Sequence, residues 1–169
     1  MTVDTGTRPG RMQTGNDAEI KCIAFLLWNG ISVYKIGQEN WLPDWIHAKI
    51  RYNYDRDVEL LKHIPDLDTG RALIQVKDAP RESGYSHVTL EKASYQASLR
   101  WCELGIPVLM AWRFQDGKTY QCQWVDKISP IEPETDREEL NGSKTPMYKI
   151  AKNELEPLQS FLGFLRNGQ

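Results

Sequence analysis

Apolar positions along this chain follow two rhythms, one helical and one alternating. From Asp17, Ile20, Ile23, Ala24 and Leu27 recur at the i, i+3, i+4, i+7 spacing of one buried helix face. Asn16 or Asp17 can cap that helix, and Asn29-Gly30 stops it. Ile31–Ile36 reads as a strand, and Trp45–Ile50 as a second one in which Ile46, Ala48 and Ile50 alternate. Residues 51–70 form a longer connection, with a short helix over Asp57–Lys62 and a turn at Asp68-Thr69-Gly70. The strand Ala72–Lys77 follows, then a helix near Thr89–Leu104 whose stripe is Leu90, Ala93, Ala97, Trp101 and Leu104. Ile106–Phe114 is apolar enough for a central strand. Gln115–Lys118 supplies the Asp-Gly of a tight hairpin, and Thr119–Val125 returns with Tyr120, Cys122 and Trp124 on one face. Residues 129–146, rich in Pro, Glu and Asp, read as a loop. A last helix, Asn153–Arg166, packs through Leu155, Leu158, Phe161, Leu162 and Leu165. This order predicts a mixed sheet with a helix on each side, an α/β sandwich.

Composition narrows the class without choosing a function. A chain of 169 residues, 40% hydrophobic with six Trp and seven Tyr, suits one globular domain. Residues 1–15 are polar and read as a flexible leader without a signal core, and no run of about 18 apolar residues would span a membrane. Cys22, Cys102 and Cys122 are scattered and lack metal-ligand spacing, so they read as reduced core thiols of a cytoplasmic protein. The net charge of −2 argues mildly against a nucleic-acid partner, although a basic face can coexist with an acidic remainder.

The chemistry concentrates in Leu73-Ile74-Gln75-Val76-Lys77. Residues two apart on a strand share a face, so Gln75 and Lys77 project together. An amide and an ammonium beside each other on a buried strand each need a partner. Acids upstream can supply one: Glu19 on the first helix, and Asp44 or Asp66, each directly after a proline. Singly, these residues have ordinary explanations. Lysines snorkel at strand ends, a glutamate near a helix start complements the dipole, and aspartates populate turns.

A helix acid, a strand acid and then a polar-x-lysine, in this order over residues 15–128, resembles the PD-(D/E)xK nuclease superfamily, in a variant where Gln75 stands for the second acid. The resemblance implies a restriction-endonuclease-like α/β fold with a central mixed sheet of about four to five strands. It implies a nuclease core over 16–128, with residues 51–71 as an insertion and 147–169 packing on it as a C-terminal strand and helix. It also implies a metal-dependent endonuclease acting on double-stranded DNA, with Mg²⁺ (or Mn²⁺) held by Asp44, Gln75, the Val76 carbonyl and Glu19, and with Lys77 at the attacking water. Asp44 is preferred to Asp66 because an alternating strand follows it; Asp66 would instead lie across from Gln75 if the hairpin turn centres on Gly70-Arg71. Gln96 is an auxiliary candidate.

For DNA contacts, Arg51, Tyr52, Tyr54, Arg56 and Lys62 mix cations with aromatics, and Arg81 and Lys92 follow the motif strand. His47, His63 and His87 lack metal-ligand spacing and read as surface or capping residues. Two cuts in a duplex imply a homodimer or homotetramer. A site-specific enzyme of homing or restriction type, phage-encoded homing enzymes included, is one expectation, and a junction-resolving or other structure-selective nuclease is another. A catalytically inactive DNA-binding module and a protein-binding regulator of the same fold are the rivals.

Overall fold

The computed structural model describes residues 8–37, 44–50, 53, 55–79, 84–114, 119–132 and 146–167. Among these are the helices α1 (Arg8–Trp28), α2 (Asp44–Ile50), α3 (Arg56–Lys62), α4 (Lys92–Glu103) and α5 (Leu162–Asn167). The strands are β1 (Tyr34–Lys35), β2 (Leu67–Asp68), β3 (Leu73–Asp78), β4 (His87–Glu91), β5 (Val108–Arg113), β6 (Tyr120–Trp124), β7 (Met147–Ala151) and β8 (Glu156–Pro157). Six of them form one sheet in the order β1-β2-β3-β5-β6-β8, while β4 and β7 pair as a separate antiparallel ribbon. The β3–β5 pair is parallel and the other pairs are antiparallel. The route from β3 to β5 runs through β4 and α4, the long crossover that parallel neighbours require. The mixed α/β sheet flanked by helices is therefore as expected, though wider than four to five strands.

The sheet separates two apolar layers. Ala18, Cys22 and Leu26 of α1 pack with Ile74, Val76, Leu109, Ala111, Tyr120, Cys122, Leu158, Phe161 and Leu165 on one side. On the other, Leu73, Met110 and Trp112 meet Val88, Leu90 and Ile150 of the ribbon and Tyr95 of α4. All six β5 residues are buried, which is why that stretch reads as an unbroken apolar run. Alternation along β3 thus puts Ile74 and Val76 toward α1 and sends Gln75 and Lys77 to the opposite face.

The β2–β3 turn fixes the register beside Gln75. Asp68 Oδ1 accepts from the Gly70 N–H at 2.7 Å, and Gly70 takes a φ of 74°, where glycine meets no Cβ penalty. Thr69 Oγ1 donates to the Ala72 carbonyl at 2.9 Å and accepts from its N–H at 3.1 Å. Pairing then runs Asp68–Leu73 and Leu67–Ile74. One more step places Asp66 across from Gln75.

Four expectations are corrected. Residues 45–50 lie in helix α2, not in a strand; Ile46 and Ile50, which alternate, are also four apart and so share a helix face. Helix α1 starts at Arg8 and takes in half of the expected leader, with Pro9 in its first turn, where a missing N–H costs nothing. Its buried face is Ala18, Cys22 and Leu26, whereas Ile20 and Leu27 are more than half exposed. His87–Glu91 is a strand instead of the start of α4, because Val88 and Leu90 are buried in alternation. The closing helix is broken: a 3-10 turn at Lys152–Glu154, β8 and a second 3-10 turn precede α5, since Pro157 has no N–H for a helix interior.

Ile74 is fully buried on the face away from Gln75 and Lys77. Ile74→Ala should cost about 3 kcal/mol, through lost transfer energy and a cavity that closes only in part. Urea unfolding would show this as a lowered midpoint at an unchanged slope.

Candidate active site

Asp66 sits where β2 stops pairing and β3 continues. Its carboxylate Oδ2 accepts from the Val76 N–H at 2.7 Å and from Gln75 Nε2 at 2.5 Å. Its backbone carbonyl accepts from the N–H groups of Ile36 and Gly37 at 2.8 and 3.2 Å, which ties it to the segment leaving β1. An ionised carboxylate only accepts, so the amide end that faces it is the donor, and Gln75 Oε1 is the end left for a cation. On a strand the N–H and C=O of one residue point to the same edge. Because the Val76 N–H points to Asp66, its carbonyl faces the same gap, beyond the last β2–β3 pair.

Glu19 lies on α1, one turn from Cys22, and only 9% of it is exposed. The Lys35 ammonium forms an ion pair with Glu19 Oε2 at 2.8 Å. It also donates to Asn16 Oδ1 at 2.8 Å. Burial chiefly, then the charges of Asp66 and Glu19, push the Cys22 thiol up to about 12.

Lys77 is half-buried one strand position beyond Val76 and has no ion pair among the described residues. Its charge bears on His63, at the C-terminal end of α3. The imidazole is lowered mainly by burial; Glu91 and Glu59 oppose that shift, while Lys77 and Lys62 add to it. His63 Nε2 lies 3.4 Å from Glu59 Oε2. It is partly buried at the end of α3, where its backbone N–H donates to the Glu59 carbonyl at 3.1 Å.

A buried arginine holds the α1 side of this arrangement in place. Arg113, paired in register with Asp78 on β3, donates through Nε to Asp78 Oδ1 at 2.9 Å and through Nη1 to Asp17 Oδ2 at 2.7 Å. Tyr120 donates its hydroxyl to the Ala18 carbonyl at 2.6 Å. Asp17 and Ala18 immediately precede Glu19, and Asp78 immediately follows Lys77. This clamp therefore fixes two candidate residues at once. Sequence reasoning missed Lys35, Arg113, Asp17, Asp78 and His63. The one local signal was an arginine ending the apolar run Val108–Trp112.

Other candidates are placed differently. Asp44 is the first residue of α2, and its side chain, like those of His47 and Arg56, lies outside what is described, as do Arg51, Tyr52, Tyr54 and Arg81 altogether. Gln96 is on the exposed side of α4. Lys92 is committed internally, paired with Glu132 and lying 4.8 Å over the Tyr148 ring. Lys62 pairs with Glu59 at 2.6 Å. A cavity of about 610 Å³ opens at the other end of β3 and β5, lined by Leu73, Trp101, Ile106 and Pro107 among others, and none of the four motif residues lines it.

Asp66, the Gln75 amide oxygen and the Val76 carbonyl are oxygen donors of the kind a hard divalent cation takes. Among the described residues no group of three or more His, Cys, Asp or Glu forms a metal cluster.

This is the restriction-endonuclease-like nuclease fold. No protein-family model matches the chain, and no curated protein is similar to it in sequence. Among solved structures it is similar to Hjc of Archaeoglobus fulgidus, a Holliday junction resolvase from an archaeal hyperthermophile, with a TM-score of 0.51 and 11% identity over 88% of this chain and 95% of that one. A nuclease from a fusselovirus aligns with a TM-score of 0.48 and 14% identity over 98% of this chain and 94% of that one.

Asp17 gives the clamp a pH signature. Arg113 foremost, then Lys21, holds its carboxyl below the usual aspartate range. A depressed folded value means that the stabilisation is complete above about pH 4, the unfolded range, and is lost as the pH falls through the folded value. Between pH 5 and pH 2 the melting temperature of wild type should therefore fall more than that of Asp17→Asn, as calorimetry would record.

Proposed function

We propose that the chain is a divalent-metal-dependent DNA nuclease, selective for branched or junction-like DNA, with Asp66 as the principal acid. The observation that carries this reading is the Asp66 carboxylate bonded to Gln75 and to the Val76 N–H, on the strand edge that the Val76 carbonyl shares. A helix follows Asp44, where a strand was expected, and Asp66 bonds to Gln75, which together favour Asp66 over Asp44. The preference for structure over sequence is supported by the likeness to a junction resolvase.

Asp66, Gln75 Oε1, the Val76 carbonyl and Glu19 would hold Mg²⁺ (or Mn²⁺). When bound, the ion neutralises charge on the scissile phosphate and lowers the pKa of a water. Lys77 then orients that water or stabilises the phosphorane-like charge with its ammonium. Lys35 holds Glu19 in place until a cation competes for it. Gln75 keeps Asp66 oriented through its amide while presenting its oxygen. The inactive-module alternative predicts DNA binding that ignores both metal and Lys77.

A second copy of the chain is the natural partner for paired cuts. Ile20 and Leu27, just over half exposed, and Trp28, 92% exposed, lie along α1, and Tyr34 is 67% exposed on edge strand β1. Such a cluster at the surface beside a site is the kind of patch that a dimer covers.

The decisive assay offers four-way junctions, splayed duplexes and supercoiled plasmid in Mg²⁺, Mn²⁺ or EDTA to wild type and to Lys77→Ala. Cleavage in metal only, strongest on branched DNA and at least 100-fold slower in Lys77→Ala, is the expected result. No cleavage of any substrate would defeat the enzymatic reading, and discrete plasmid fragments would replace structure selectivity with sequence specificity.

Gln75→Glu tests the cation without activity. A second carboxylate against Asp66 should lower the melting temperature in EDTA through like-charge repulsion. Millimolar Mg²⁺ should then raise it by more than it raises wild type. Equal shifts in both proteins would place the cation elsewhere.

A further inference from the structure

The β4–β7 ribbon carries chemistry that the cleavage site does not use. Its register pairs His87 with Ala151, Thr89 with Lys149 and Glu91 with Met147. Val88, Leu90 and Ile150 are turned into the core, so His87, Thr89, Glu91 and Lys149 lie on the outer face. At one end, Tyr85 is 61% exposed and its ring centroid is 5.8 Å from that of His87, at 34°. Lys152 follows Ala151 directly; its N–H donates to the Ser86 carbonyl at 3.0 Å, and its ammonium lies 4.6 Å over the Phe114 ring.

These groups form one field. His87 is lowered first by burial and then by Lys149 and Lys152, and no carboxylate contributes to that shift. At the opposite end of β4, Glu91 and Lys77 both bear on His63. The ribbon crosses the sheet beside Lys77, because Trp112, paired with Lys77, donates its indole N–H to the Thr89 carbonyl at 3.3 Å. Its outer face runs from Glu91 to His87, four strand residues or about 13 Å, with Tyr85 just beyond. In a chain of net charge −2, the end of this face away from Glu91 is locally cationic and aromatic.

We propose that this face carries an unpaired DNA strand away from the cleavage site, with phosphates at Lys149 and Lys152 and a base stacked on Tyr85. The proposal rests on the nuclease reading and specifies its substrate. Cations along a backbone path with an exposed ring beside them match what a single strand presents: phosphates at intervals and π-faces free of a partner base. A blunt duplex keeps its bases stacked inside and offers Tyr85 nothing. None of these residues stands out for DNA in the sequence, because only the ribbon pairing puts Lys149 on the face that carries His87 and leads to Tyr85.

The test is fluorescence anisotropy in EDTA with a labelled splayed-arm duplex, a labelled blunt duplex and a labelled oligothymidine, from 50 to 200 mM NaCl. Wild type should bind the splayed arm and the oligothymidine more tightly than the blunt duplex. Tyr85→Ala should weaken the first two about tenfold and leave the blunt duplex unchanged. Lys149→Gln and Lys152→Gln should each lower the slope of log affinity against log salt by about 0.7 on the oligothymidine, and Lys149→Arg should restore it. Wild-type affinity and slope in all three variants would overturn the track while leaving the nuclease reading intact. Equal losses on the blunt duplex would overturn the unpaired-strand assignment in favour of duplex phosphates. Failure of wild type to bind any of the three would remove both readings together.

Discussion

The site depends on one carboxylate taking the place of a missing strand. Beyond the Leu67–Ile74 pair, β3 has no β2 residue left to accept from the Val76 N–H, and Asp66 Oδ2 does so instead. Leaving that N–H unpaired would cost about 1–3 kcal/mol, so the aspartate is structural before it is chemical. The turn at Asp68–Ala72 makes the arrangement unique. A one-residue slip would send Asp66 to the other side of the sheet and Gln75 to the wrong layer. Register, hydrogen bonding and chemistry are therefore set by the same few residues.

The other half of the site is held from a distance. Glu19 belongs to a helix that packs on β3 through Ala18, Cys22 and Leu26, and apolar packing alone would let that helix slide. Arg113 and Tyr120 prevent this by gripping Asp17 and the Ala18 carbonyl from β5 and β6. Arg113 is nearly buried and meets two carboxylates, one of them half exposed. Opening such a cluster leaves Asp78 short of its partner, and fully buried pairs lose about 3–5 kcal/mol when broken this way. The clamp thus specifies where the helix sits more than it adds net stability.

What could be read from sequence was whatever depended on local spacing. The strand Leu73–Asp78, the helix at Arg56–Lys62, the central strand β5 and the turn at Gly70 all follow from near-neighbour patterns. The register that puts Asp66 across from Gln75 was also derivable, because a turn centred on Gly70-Arg71 permits one continuation. What failed was any choice between equally periodic alternatives. Ile46, Ala48 and Ile50 fit a strand or a helix, and α1 carries two apolar stripes of which only the less hydrophobic is buried. That burial is decided by where Glu19, Cys22 and the sheet meet, which no local window contains. Lys35, His63 and Arg113 were missed for the same reason, their partners being 16 residues (Lys35–Glu19) to 96 residues (Arg113–Asp17) away in sequence or on another element.

The glutamine at position 75 changes how the site can be assembled. A carboxylate there would repel Asp66 and leave the pair unsettled until a cation arrived. The amide instead donates to Asp66, so the aspartate is oriented without any ion. The cost is affinity, because a neutral oxygen attracts a divalent cation less than a charged one. Glu19 is then the second formal charge available, and Lys35 already neutralises it. With Glu19 and Asp66 negative and Lys35 and Lys77 positive, the four groups carry no net charge. An ion would have to displace Lys35 from Glu19 and share Asp66 with the Val76 N–H. A substrate phosphate offers both lysines a new partner and supplies the missing negative oxygens. On the proposed reading, cation and phosphate would bind more strongly together than either does alone, and substrate would complete the site.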